Sequence, residues 1–407
     1  MIYAKLSLLF IAAGVLRCPG MKPLQDIRIL DLSRVFAAPF ATQMLSDLGA
    51  EVWKIESPKG DDTRKWGAHV FAAFNRGKKS IAVDLKTADG QAVVRRLAAK
   101  ADVVVENFKT GDLARYGLDY PALSKLNDRL VYLSLTGFGQ TGPRKDQPGY
   151  DTVIQAMSGI MSVTGDPDRP PGRVGIAWID VMSGLTTTIG ILAALNERQR
   201  SGKGQHIDLS LFDVGMMALV DAGQDFLQNG RVHHRVGSIT RNLSPAQPFQ
   251  AADGWVVVAV GNDEQFARMC PVLGLPELAT DPRFTTNALR IEHRAVLAGL
   301  LAAKIATYPR ATLIEMFEAA RVPLSPIHGI DESLQDPQTL ARDIIWNLGN
   351  GVRSLANPLQ RMSRTPAAPA GPPPALGQHT LEVLAAELGL NAEALTRLQD
   401  EGAIIAR

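Results

Sequence analysis

From residue 27 onward, short runs with a two-residue hydrophobic period alternate with stretches of helical period, the pattern of a sheet covered by helices. Residues 27–32 read as a first strand. Pro39 opens a helical stretch that Gly49 can end, and Glu51–Glu56 alternates again as a second strand. Residues 80–85 are strand-like, 88–101 form an amphipathic helix, and 102–106 and 130–135 are apolar runs of buried-strand type. A long helix over 183–200 is closed by Gly202, and 205–212 alternates briefly. This β-α-β order predicts a doubly wound, mostly parallel α/β sheet. Beyond about residue 215 the texture changes. Asp253-Gly254 is a turn signal before a strand over 255–260, and helical segments follow to 319, as in a smaller α+β unit. Residues 366–374, rich in proline and alanine, read as an extended connector, and 380–388 and 392–399 as two short terminal helices. The expected division is a large sheet domain built from 21–215 and 345–407, with linkers and the small domain in 216–344.

Residues 1–20 stand apart. Residues 6–16 are an almost unbroken apolar run behind Lys5, the outline of a signal peptide, but roughly eleven apolar residues are too few to span a bilayer. The run ends in Arg17-Cys18-Pro19-Gly20 without a small-x-small cleavage site, so it reads as an upstream start or a targeting extension, with Met21 beginning the folded protein. The rest of the chain presents no candidate spanning segment to this reading.

Composition narrows the function. With 43 basic and 41 acidic side chains in 407 residues the formal charge is +2, too balanced for a nucleic-acid surface or a polybasic membrane anchor. Neither nucleic acid nor membrane is therefore an expected partner. The two cysteines, Cys18 and Cys270, stand in no ligand spacing, so neither a zinc site nor a disulfide framework is expected, and a reducing, cytoplasmic compartment fits. The loop after the first strand, Asp31-Leu32-Ser33-Arg34-Val35-Phe36-Ala37-Ala38-Pro39, carries no G-x-G-x-x-G, which argues against a dehydrogenase. There is no phosphate loop or G-x-S-x-G elbow either, which argues against phosphate transfer and serine hydrolysis.

Several unusual strings remain. They are Asp31-Leu32-Ser33-Arg34-Val35, Gly49-Ala50-Glu51-Val52-Trp53-Lys54-Ile55-Glu56, Gly60-Asp61-Asp62-Thr63-Arg64, Asn75-Arg76-Gly77-Lys78-Lys79-Ser80, Val105-Glu106-Asn107-Phe108, Gly137-Phe138-Gly139-Gln140-Thr141-Gly142-Pro143 and Leu376-Gly377-Gln378-His379-Thr380. Together, and in this order, they resemble the class III coenzyme A transferases, the family of formyl-CoA transferase and carnitine CoA-transferase. The Gly60 to Arg64 and Gly137 to Pro143 strings look most like members that use succinyl-CoA with a dicarboxylic acceptor such as glutarate.

The resemblance implies a catalytic aspartate in Gly175-Ile176-Ala177-Trp178-Ile179-Asp180-Val181-Met182-Ser183-Gly184, and Asp180 holds that position. An aspartate near a helix start is ordinarily a cap, so both readings stand at this point. By resemblance, Asp180 would attack the thioester, passing through a mixed anhydride and an aspartyl-CoA thioester, with acyl-CoA and a free acid as substrates and no tightly bound cofactor or metal. The resemblance places coenzyme A contacts at Val35, Phe36, Val83, Lys86, Asn107, Phe108, Lys109 and Arg115; core packing and solvated surface charge are the plain alternatives. Tyr150 and Asp151 match a site facing the reaction centre. Related acyl-CoA racemases carry a histidine where this chain has Tyr150, which favours transfer over epimerisation; a non-catalytic CoA-binding protein is the other alternative. Ser57 and Pro148 replace basic residues of some members, and the glycine-run loop of formyl-CoA transferase is missing. Arg64, Arg76, Arg173 and Arg241 are candidates to bind a distal carboxylate. The resemblance also implies an interlocked homodimer.

Overall fold

The computed structural model describes residues 22–406. The signal-like run and Cys18 lie outside the described residues. Six parallel strands follow one another along the chain: β1 (Arg28–Asp31), β2 (Glu51–Glu56), β3 (Lys79–Val83), β4 (Val103–Glu106), β5 (Val131–Thr136) and β6 (His206–Ser210). Their spatial order is 3-2-1-4-5-6, and a short strand, Ile404–Ile405, closes the β3 edge antiparallel. The expected α/β sheet is thus mostly parallel, and its order reverses between β1 and β4. At that switch point the loops leaving both strands diverge and open a crevice at their carboxyl ends.

Strand alternation explains the two covered faces. Ile29, Val52, Val103, Val105, Val131 and Leu133 point to one side, where helix α1 (Ala37–Asp47) and the 24-residue helix Trp178–Ser201 bury Leu45, Ile179, Ile191 and Leu195 against them. Leu30, Trp53, Ile81, Val104 and Tyr132 point to the other, covered by a helix over Ala88–Ala98 and by the terminal helices Thr380–Leu388 and Ala392–Asp400. Gly184 allows the first contact, since a Cβ there would sit 2.7 Å from Phe40 and 2.8 Å from the Ala37 carbonyl oxygen. The Trp178–Ser201 helix is also long and apolar enough to cross a membrane by length and composition, which the sequence reading passed over; here its Ile179, Thr187 and Ile191 side is buried.

By compactness the described residues divide into two units, one containing the large sheet (22–160, 174–224 and 341–406) and one of 161–173 and 225–340. In this division 161–173 groups with the smaller unit, whereas the sequence reading put linkers and the small domain in 216–344. That unit has an antiparallel sheet of β7 (Ala246–Ala251), β8 (Gly254–Ala259) and β9 (Leu324–Pro326) with Phe249, Val256, Phe266, Met269, Leu301 and Phe317 in its core. Cys270 is buried in the same core, and burial pushes its thiol up to about 12, so it is inert.

Most of the strings noticed in the sequence meet in one buried ionic network beneath the crevice. Asp31 ends β1 fully buried and accepts from the Ser33 N–H at 3.0 Å and its hydroxyl, from Thr42 Oγ1 at 2.6 Å and from Lys78 Nζ at 2.9 Å. Lys78 completes its three donors on the Pro39 carbonyl and Asn75 Oδ1, both at 2.9 Å. Lys54 of β2 donates to Asp61 Oδ2 and the Ser33 carbonyl at 3.0 Å each, and Arg64 grips Glu56 with two bonds of 2.7 Å. Burial works to raise the Asp31 carboxyl, but Lys78 and Lys54 outweigh it and hold it below the usual range; burial brings Lys78 down to about 8. Paired and fully bonded charges of this kind fix loop geometry more than they stabilise the fold.

Candidate functional site

Loop 32–36 leaves β1 at the switch point and has two sides. Leu32 and Arg34 line one cleft, together with Val83, Lys86, Phe108, Tyr116 and the ends of β2. Val35 and Phe36 line a second, together with Thr63, Trp66, Val70, Phe74, Tyr150, Asp151, Thr152 and Asp180. The loop is held hard. Asn107 at the end of β4 accepts from the Arg34 N–H at 2.8 Å and donates to the Arg34 carbonyl at 2.7 Å, while Val35 N–H reaches Asp61 Oδ2 at 3.3 Å. Val35 sits at φ 72°, a left-handed conformation that a β-branched residue resists by about 1–3 kcal/mol. That strain is maintained by the buried network behind it. The Phe36 ring stacks on Phe74 at 4.0 Å, extending an apolar wall over the second cleft.

Asp180 is not where the sequence placed it. The helix begins at Trp178 rather than 183, so Asp180 lies inside its first turn and not ahead of it. No local signal marked the boundary, because the N-cap residue, Ala177, has no capping side chain. The cap comes from elsewhere. Asp151, at the start of the helix Asp151–Met157, accepts from the Ile179 N–H at 2.8 Å and the Asp180 N–H at 3.3 Å through its Oδ2. Its Oδ1 is held at 2.7 Å by Gln155, whose Oε1 in turn accepts from the Val174 N–H at 2.8 Å.

Asp180 therefore keeps its own carboxylate unengaged, with no hydrogen-bond donor to it among the described residues. Burial first, and then the Asp151 charge, push it up to about 7. A glycine contact brings the pair together. The backbones of Gly137 and Gly149 touch, so that a Cβ on Gly137 would lie 2.6 Å from the Gly149 Cα, and this closes the base of the loop that delivers Tyr150 and Asp151. The spacing of Gly137, Gly139 and Gly142 after β5 fits G-x-G-x-x-G, yet the next helix is the one at Asp151, so this is a loop closure and not a dinucleotide cradle.

Of the residues expected to contact coenzyme A, Val83, Lys86 and Phe108 share the first cleft, and Val35, Phe36, Tyr150 and Asp151 share the second with Asp180. Asn107 has its amide engaged by Arg34, and Lys109 and Arg115 are exposed and line neither cleft. Arg115 lies 3.6 Å from Asp112 and over the Tyr116 ring at 4.8 Å. The anticipated acid-binding arginines of the large unit are also engaged: Arg64 by Glu56, and Arg76 by Asp47 at 3.0 and 2.6 Å. Arg241, in the smaller unit, donates to the His234 carbonyl. Trp66, Phe74 and Gln155 were missed. Trp66, a large aromatic left 58% exposed two residues after the Gly60 to Arg64 string, was the detectable one.

The sequence model of CoA-transferase family III matches residues 24–380. The chain belongs to CoA-transferase family III. This family III enzyme transfers coenzyme A. It is 44% identical over 386 residues to a succinate–glutarate CoA-transferase of Agrobacterium fabrum, covering 90% of this chain and 96% of that protein. It is 39% identical over 398 residues to a succinyl-CoA:glutarate CoA-transferase of Mus musculus, covering 95% and 91%. The crystal structure of a CAIB/BAIF family protein from Brucella suis matches with a TM-score of 0.85 at 41% identity, covering 90% of the transferase and 100% of that chain.

Proposed function

We propose that this CoA-transferase moves coenzyme A from succinyl-CoA to a dicarboxylic acid through covalent intermediates on Asp180. The observation that carries the assignment is the division of labour between two neighbouring carboxylates: Asp151 caps the helix, and Asp180 is left unbonded in an apolar cleft. The Asp180 oxygen attacks the thioester carbonyl, the C–S bond breaks, and the CoA thiolate leaves a mixed anhydride. The thiolate then attacks the Asp180 carbonyl and expels the donor acid, giving an aspartyl-CoA thioester. The acceptor carboxylate repeats the two steps in reverse and restores Asp180, with no net use of water or ATP. Both intermediates hydrolyse in water, and the apolar wall of Phe36, Trp66, Val70 and Phe74 supports their protection.

Tyr150 supports transfer over epimerisation. It lies in this cleft, and a phenol lacks the basic imidazole nitrogen that removal of an α-proton would call for. The two named relatives make succinyl-CoA and glutarate the first pair to assay. Mass spectrometry of CoA products from a panel of mono- and dicarboxylic acids is expected to show new acyl-CoA formed one-for-one with released succinate. Failure of every pair would end the reading.

Asp180 must be ionised to attack, and its carboxyl is raised to about 7 by burial and by Asp151. The single-turnover rate of acyl transfer is thus expected to rise with pH through a limb centred near 7, far above the ordinary carboxylate range. A rate flat from pH 5 to 8 would contradict it. We also propose a homodimer, supported by the exposed apolar side chains of Leu185, Ile189 and Val220; sedimentation of a monomer at micromolar concentration would refute it.

A further inference from the structure

The helix Trp178–Ser201 has Ala177 at its N-cap, which offers no capping side chain to its first N–H groups. Such a terminus attracts any carboxylate within reach, through its free donors and its dipole. Two are within reach: Asp151, which faces it from another helix, and Asp180, which belongs to its own first turn. Only one should have it. A carboxylate bonded to backbone N–H groups is stabilised in its charged form and turned away from a substrate, which is the wrong state for a nucleophile.

We propose that Gln155 is a positioning residue that awards the helix terminus to Asp151 and so keeps Asp180 free. Gln155 stands one turn beyond Asp151 on the same helix face and is fully buried. The Val174 N–H fixes its amide orientation at 2.8 Å, because only Oε1 can accept that bond. Nε2 is thereby aimed at Asp151 Oδ1, 2.7 Å away, and the carboxylate is left with one orientation, its other oxygen on the Ile179 and Asp180 N–H groups. Gln155 lines neither cleft, so it acts through the groups it bonds, the Asp151 carboxylate and the Val174 N–H. Asp151 is the one charged group among the described residues that bears on Asp180. Without the Gln155 bond, Asp151 can rotate off the terminus, and Asp180 can fold back onto it.

This inference rests on Asp180 being the nucleophile, and the experiment separates the two. Hydroxylamine trapping during turnover of the unaltered enzyme, followed by peptide mapping, locates the covalent adduct; an adduct on another carboxylate ends the parent reading. With the adduct on Asp180, Gln155→Met is expected to lower kcat by about 10–100-fold while changing KM for succinyl-CoA by less than about threefold. Its acid limb should move down from near pH 7 toward the ordinary carboxylate range, because Asp180 would now be bonded to N–H groups. A folded Gln155→Met enzyme with unaltered kcat and an unmoved limb overturns the inference alone. Should that variant fail to fold, an exchange of donor and acceptor serves. Gln155→Glu sets two carboxylates against each other and is expected to lose at least about tenfold in kcat. Adding Asp151→Asn lets the new amide donate to the new carboxylate while its oxygen keeps the cap, and should recover most of that loss. No recovery in the double variant overturns the inference.

Discussion

Asp180→Asn is expected to abolish CoA exchange, by about 10³-fold or more, and at the same time to make the protein more stable. The first effect follows from loss of the attacking oxygen. The second follows from the position. Asp180 makes no stabilising bond through its carboxylate, and burial with the Asp151 charge raises it to about 7. A carboxyl whose folded pKa lies above its unfolded value binds more protons when folded, so stability falls as pH rises through that window. The penalty is absent below about pH 4 and complete above about pH 7, where an uncharged amide avoids it. Urea unfolding should therefore show a gain of about 1–2 kcal/mol for Asp180→Asn at pH 8 and almost none near pH 4. A loss of stability equal at both pH values would mean that Asp180 supports the helix. Exchange at the unaltered rate would remove it from the chemistry.

The opposite behaviour is expected of Asp31, a carboxylate of the same loop system with four donors around it. Asp31→Ala leaves Lys78 buried without its counter-charge and should cost about 3–5 kcal/mol at pH 6.5. The loss should shrink toward pH 9, because burial already brings Lys78 down to about 8 and a neutral amine no longer needs the partner. Chemical denaturation at the two pH values measures both. A change below about 1 kcal/mol at pH 6.5 would show that the network is dispensable. Because the same network holds Val35 at positive φ, the variant should also bind CoA more weakly than its residual folded fraction explains.

The strands were legible because each is short, apolar or alternating, and bounded by loop chemistry; the six parallel strands fall within a residue or two of the runs read from the sequence. Their order was not, since hydrophobic period says which residues are buried and not which strand lies beside which. The strings that carried the resemblance were legible as unusual, yet their physical reason was hidden. Lys54, Asp61 and Lys78 look like surface chemistry in a sequence and are wholly or nearly wholly buried in the fold, where they hold the crevice loops. The start of the Trp178–Ser201 helix was misplaced because its cap lies 28 residues away in sequence, beyond any local capping signal. Gln155 was invisible for a related reason. One amide on an amphipathic helix has no signature until its partners are in place.

The short strand Ile404–Ile405 also bears on how this molecule is made. It shields the β3 edge with the help of Thr380, which accepts from the Ala82 N–H at 3.1 Å and donates to the Ile405 carbonyl at 2.8 Å. During synthesis β3 emerges early and its shield comes only after most of the chain has been translated. For that interval the nascent sheet carries a bare apolar edge, open to pairing with a neighbour on the same polysome. Damage to residues 376–405, remote from Asp180 in sequence, would therefore show as lost yield of soluble protein and not as a slower enzyme.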